Sequence, residues 1–197
     1  MNFPLSLRFK LLALTPQIYV NDAAEQPVFY VKQKMFKLRE KIEVFRDESR
    51  SQLFCTIAAN KIIDWSARYF FTAADGADLG SVGRRGMRSL WRASYDIFAP
   101  ADNNADFEIR EENPWAKIGD SFLGQIPIVG IFAGYMFHPR YVVTRKSTGL
   151  PVLRLTKRSA LFEGKFIIEK FGDANEQEEV SLTLSLLMLI LLEKNRG

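Results

Sequence analysis

Val180-Ser-Leu-Thr-Leu-Ser-Leu-Leu-Met-Leu-Ile-Leu-Leu192 is the stretch whose reading decides the fold. Ten of its thirteen residues are apolar, and the other three are the small hydroxyls Ser181, Thr183 and Ser185. Such hydroxyls can bond back to a carbonyl of the preceding turn, so they tolerate burial inside a helix. Leu and Met favour helix, and no Gly or Pro interrupts the run. Asp173, Glu176, Glu178 and Glu179 precede it while Lys194 and Arg196 follow, the charge order that a helix dipole favours. A helix apolar on every side must be buried. A bilayer span needs about twenty apolar residues, so thirteen fall short. The segment is expected to be a core helix, at about 178–195, enclosed by the rest of the chain.

The bulk composition suits such an enclosure. A chain of 197 residues with 47% hydrophobic and 25% charged residues is ordinary for one globular domain, here spanning 1–197. Sixteen Phe fit strands, where aromatics pack well. A single cysteine, Cys55, rules out an internal disulfide and points to a reducing, cytoplasmic setting. Met1–Thr15 does not read as a signal peptide. Residues 1–100 carry fifteen Lys/Arg against ten Asp/Glu, and the second half is nearly balanced. That excess permits an anionic partner without requiring one.

Working back from the helix, a loose unit recurs: an apolar, β-branched or aromatic run, an acidic or Gly turn, then another such run. It appears at Ile18–Asp22, Val44–Asp47, Phe70–Gly76, Tyr95–Asp102, Tyr141–Gly149 and Phe166–Asp173. The turn residues Asp22, Asp47, Asp75 and Asp102 recur at intervals of 25 to 28 residues. Two strands of ordinary length plus two turns fill each interval. Six hairpins give roughly eleven or twelve strands, a number that favours closure over an open sheet. In Lys37-Leu-Arg-Glu-Lys-Ile-Glu-Val-Phe45 the residues Leu38, Ile42 and Val44 share one face, and Lys37, Arg39, Lys41 and Glu43 share the other. The expected fold is mainly β: a closed barrel of about 12 antiparallel strands enclosing an apolar C-terminal α-helix. One segment breaks the pattern. Asn113-Pro114 reads as the start of a short helix, and the apolar residues 122–137, interrupted by Pro127 and three glycines, read as a buried crossover.

The chain resembles the tubby C-terminal-like superfamily, and within it the phospholipid scramblase and LURP-one-related group. The residues that carry the resemblance are Asp22, the run Val28-Phe-Tyr-Val-Lys-Gln-Lys-Met-Phe-Lys-Leu-Arg39, the run Asp75-Gly-Ala-Asp-Leu-Gly-Ser-Val82 and the terminal helix. It extends over almost the whole chain, but its motifs are diffuse strand-and-turn patterns with no catalytic signature. Tubby proteins bind phosphoinositides on the barrel exterior, so the resemblance implies that role for Lys32, Lys34, Lys37, Arg39 and Lys41. Scramblases carry an acidic segment, thought to bind calcium, before the terminal helix. Asp173, Asn175, Glu176, Glu178 and Glu179 take that place here, without a recognisable calcium-loop spacing.

A second basic cluster, Arg84, Arg85, Arg88 and Arg92, lies beside Trp91. Arginine grips phosphate with a bidentate fork. The bland alternative is that solvated strand faces are normally charged and carry Lys to block edge pairing. Nucleic acid is an unfavoured partner, because no recognition helix or RNA-binding aromatic motif accompanies the basic residues. A metal site asks for more nitrogen or sulfur ligands than Cys55 and His138 supply, and neither residue sits in a nucleophile motif. The acidic residues Asp102, Asp106, Glu108, Glu111, Glu112 and Asp120 select no catalytic pair.

The reading that results is a non-enzymatic barrel needing no cofactor, cytoplasmic and peripheral at a membrane. It binds an anionic phospholipid headgroup or a protein partner through its basic exterior. Two alternatives stand beside it: a membrane-inserted scramblase-like protein, suggested by 122–137 and 180–192, and an enzyme using Cys55 or His138.

Overall fold

The computed structural model describes residues 1–10, 17–32, 41–59, 67–84, 94–112, 140–158 and 163–194. Twelve strands run in chain order: β1 Leu5–Lys10, β2 Gln17–Asn21, β3 Pro27–Lys32, β4 Ile42–Phe45, β5 Leu53–Ala59, β6 Arg68–Ala73, β7 Asp78–Arg84, β8 Ser94–Phe98, β9 Ala105–Glu111, β10 Arg140–Arg145, β11 Pro151–Arg158 and β12 Glu163–Lys170. A helix, α1, follows at Glu176–Lys194. Each strand pairs antiparallel with its sequence neighbours, and β1 also pairs with β12, which closes the barrel. The expected fold is the observed one. The short helix expected from Asn113, the crossover at 122–137 and His138 lie outside the described residues.

The up-and-down path explains the recurring acidic turns. One interval of 25 to 28 residues is one strand out and one strand back, so the turns 22–26, 46–52, 74–77 and 99–104 all fall at the same end of the barrel. Each opens on an Asx-turn, in which a side-chain carboxylate accepts a backbone N–H two residues on. Asp22 Oδ1 accepts from Ala24 N at 2.8 Å, Asp47 Oδ1 from Ser49 N at 2.8 Å, Asp75 Oδ1 from Ala77 N at 3.0 Å and Asp102 Oδ1 from Asn104 N at 2.8 Å. The 146–150 turn and the link into α1 share this end. The strand ends Lys10, Lys32, Arg84 and Arg158 mark the other.

Alternation sets the inside and the outside. Leu5, Leu7 and Phe9 of β1 are buried, while Ser6, Arg8 and Lys10 face out. Ile42 and Val44 of β4 point in and Glu43 points out, as the pattern of 37–45 requires, with residues 33–40 outside the description. An eight-stranded barrel is just filled by its own side chains. Twelve strands leave room for more, and α1 takes it. Leu182, Leu184, Leu186, Leu187 and Met188 are all 0% exposed, so the helix is enclosed on every side. Of its hydroxyls, Ser185 donates to the Ser181 carbonyl at 2.7 Å, the back-bond expected of such residues.

The helix enters the barrel through a capping box. Glu178 N donates to Asn175 Oδ1 at 2.9 Å, and Asn175 N donates to Glu178 Oε2 at 2.9 Å. Glu178 also receives the guanidinium of Arg145, at 2.8 Å and 3.1 Å on its two oxygens. Glu179, almost fully buried, meets Lys170 Nζ at 2.7 Å and the Met1 amino nitrogen at 2.6 Å. The helix start is therefore tied to β10, to β12 and to the chain's first residue.

Candidate anion-binding surface

The pairing register brings basic side chains from both ends of the chain onto one wall. Arg158 of β11 is opposite Lys165 of β12, and Lys165 is opposite Arg8 of β1. Arg8 and Lys165 alternate with buried residues and so face outward, and exposed Arg158 shares that face through its pairing with Lys165. Directly opposed residues have Cβ atoms about 5 Å apart, close enough for one phosphate to span two neighbours. In the next row Lys10 is opposite Glu163 on one side and Gln17 on the other, and Gln17 is opposite Lys32. Lys10 stands 4.7 Å over the Tyr19 ring and 3.3 Å from its hydroxyl. That hydroxyl donates to Glu48 at 2.7 Å, and burial with this bond pushes the phenol up to about 12.

Of the trio, Arg8 has an ion pair among the described residues. Arg8 reaches Glu25 at 3.5 Å, an exposed pair. Arg158, Lys165, Lys32 and Lys41 form no ion pair with any described residue. Like charges directly opposite on neighbouring strands destabilise a sheet. Lys on a strand is often there to block edge pairing, but a closed barrel has no edge to block.

The residues singled out in the sequence are distributed as follows. Lys32 ends β3 on this wall, and exposed Lys41 immediately precedes β4. Arg84 ends β7, six strands around the barrel from β1 and therefore on the opposite side. It shares the inward parity of Val82 and has partners of its own. Arg84 is thus not part of this wall. Lys34, Lys37, Arg39, Arg85, Arg88 and Arg92 lie outside the described residues. Arg8, Lys10, Arg158 and Lys165 belong to neither basic cluster in the sequence. Alternation of Arg8 and Lys10 with Leu7 and Phe9 was the available signal, but their neighbours become known only through the β1–β12 seam.

At the start of α1 the acidic candidates are held apart. Glu178 is taken by Arg145 and Glu179 by Lys170, while Asp173, Asn175 and Glu176 are exposed. Arg145's hydrogen bonds hold the Glu178 carboxyl below its usual range. Burial tends to raise Glu179, but its bonds to Lys170 and the amino group outweigh this and lower it. Among the described residues no three His, Cys, Asp or Glu side chains gather where they could hold a metal ion. Cys55 is 0% exposed, and burial pushes its thiol up to about 12. A thiol so placed is not a nucleophile near neutral pH. Nor is any helix among the described residues long and apolar enough to cross a membrane.

A twelve-stranded up-and-down barrel closed around an apolar terminal helix, with a basic outer wall, defines a tubby-like protein. Residues 27–125 match the family model described as LURP-one-related, and the chain belongs to that family. The X-ray structure of a protein from Arabidopsis thaliana is similar over 98% of this chain and 92% of its own, at 14% identity and a TM-score of 0.45. No curated protein matches the chain.

Proposed function

We propose that the protein is a non-enzymatic binding module whose β11–β12–β1 wall takes the phosphorylated headgroup of an anionic phospholipid. The observation that carries this reading is the register-opposed trio Arg158, Lys165 and Arg8. Three cations on adjoining strands repel one another in the free protein, and a multiply charged phosphate relieves that repulsion. The two arginines supply bidentate forks and the lysine a point charge between them. Lys10 and Lys32 in the next row extend the surface for a headgroup carrying more than one phosphate. The acidic turns lie at the other end of the barrel, so the basic strand ends are the part that approaches a negative membrane surface.

The test is co-sedimentation with phosphatidylcholine vesicles, with and without a phosphatidylinositol bisphosphate. Each Lys or Arg near an anionic surface contributes about 1 kcal/mol. Lys165→Ala with Arg158→Ala should weaken binding roughly 20- to 30-fold. Soluble inositol trisphosphate should compete if the headgroup is the ligand. Equal binding by wild type and the double variant, with unchanged thermal unfolding, would remove the reading.

A further inference from the structure

At the opposite end of the barrel a cavity of about 180 Å³ opens beside the first turn of α1. Its apolar walls include Phe98, Pro100 and Phe107, and its polar walls include Asp106, Glu178 and Ser181. Ser181 is 6% exposed, and its Oγ has no hydrogen-bond partner. A buried hydroxyl left without a partner costs free energy, unless a bound group completes it.

The charges beside the cavity are unequal. Arg145 is committed to Glu178, to the Asp173 carbonyl at 3.0 Å and to the face of Phe107, 4.5 Å away. Lys146 is turned to Asp96, at 3.4 Å. Asp106 receives only a long hydrogen bond, from Ala99 N at 3.3 Å, so most of its accepting capacity is open. Two apolar side chains at this end of the barrel are exposed, one of them, Phe171, with Arg154 4.6 Å over its ring. Lys146 N donates to the Asp106 carbonyl at 2.8 Å, and the same turn closes on Leu150, which is 64% exposed. Phe171, 54% exposed, is tied to the neighbouring strand through its N–H to the Val152 carbonyl at 2.9 Å.

We infer that this end of the barrel docks a segment of a protein partner that presents an arginine or lysine beside apolar residues. The aliphatic stem of the cation lies along Pro100 and the surfaces of Phe98 and Phe107 left free by Arg68, 3.7 Å over the one ring, and Arg145, 4.5 Å over the other, as long charged side chains lie on apolar surface. Its head group meets the Asp106 carboxylate, with Ser181 in the cavity wall. The segment's apolar residues cover Leu150 and Phe171. The occupant follows from charge complementarity: the turns at this end are opened by Asp22, Asp47, Asp75 and Asp102, and the Asp106 carboxylate, although it feels the charge of Arg145, keeps most of its hydrogen-bonding capacity.

The experiment is a titration of the isotope-labelled full chain, followed by backbone amide resonances. Two probes are compared: acetyl-Gly-Leu-Arg-Leu-Gly-amide, and the same peptide with citrulline, the neutral isostere, in place of Arg. The Arg peptide should give saturable shifts at Phe98, Asp106, Phe107 and Ser181. The citrulline peptide, and the Arg peptide against Asp106→Asn, should bind about tenfold more weakly, the loss expected for one charge-assisted hydrogen bond. Leu150→Ser with Phe171→Ser should also weaken the Arg peptide. Equal responses to the two peptides in the wild type, or saturable shifts on the β11–β12–β1 wall instead, would overturn the inference.

Discussion

A Cβ placed on Gly80 would lie 2.8 Å from Ser181 Oγ and 2.6 Å from the Phe98 carbonyl oxygen. Gly80 therefore lets the barrel wall approach its enclosed helix closely. The register between β6 and β7 slips there, with Phe70 opposite Ser81 and Thr72 opposite Asp78, so Gly80 lies in a bulge with φ of +99°. Both the backbone and the space require glycine.

Gly80→Ala should cost clearly more stability than Gly76→Ala. Gly76 also has a positive φ, +92°, but nothing lies within 4 Å of its Cβ position. A non-glycine residue held at positive φ costs about 1–3 kcal/mol, and only Gly80 adds a collision with backbone. Denaturant unfolding of the two variants measures the difference, and equal losses would mean that the helix does not press on β7.

Leu187 is fully buried in the helix. Leu187→Ala should lower stability by about 2–5 kcal/mol while leaving a folded barrel, seen in circular dichroism and cooperative melting. Leu187→Asp should give no folded protein, because an unpaired buried charge costs several kcal/mol. A soluble, cooperatively folding Leu187→Asp protein would contradict an enclosed helix.

Glu178 predicts a pH dependence. Arg145's hydrogen bonds depress its carboxyl in the folded state, so the pair's stabilisation is complete above the ordinary glutamate value of 4.5 and is lost as pH falls through the depressed folded value. Glu178→Gln should therefore melt below wild type at neutral pH, by an amount corresponding to about 1.5 kcal/mol. The gap should narrow as pH falls below 4.5. Melting curves across that range decide it, and a gap independent of pH would assign the loss to the capping bond alone.

Cys55 should resist thiol reagents in native buffer and react fully once the chain is unfolded, since it is 0% exposed and burial raises its pKa to about 12. Fast native labelling would reopen a nucleophilic role for it.

Much of the architecture was legible because it rests on local chemistry. The interval between Asp22, Asp47, Asp75 and Asp102 marked hairpins, and the structure gives the reason: these Asx-turns return to one end after each pair of strands. Ser181, Thr183 and Ser185 announced a buried helix because hydroxyls are the polar groups that a helix can absorb. The basic wall was only partly legible. Lys32 was named, but Arg8, Lys165 and Arg158 become neighbours only when β1 pairs with β12 and β12 with β11. No spacing within a segment reports a register between distant segments. Arg84, prominent in its cluster of arginines, ends a strand on the opposite side of the barrel.

The most direct test of the central claim is a titration of isotope-labelled protein with soluble inositol trisphosphate, followed by backbone amide resonances. The account predicts saturable shifts at Arg8, Lys10, Arg158 and Lys165, abolished by raised salt and by Lys165→Glu. Shifts confined to the β7 side of the barrel near Arg84, or none at all in a folded protein, would contradict it.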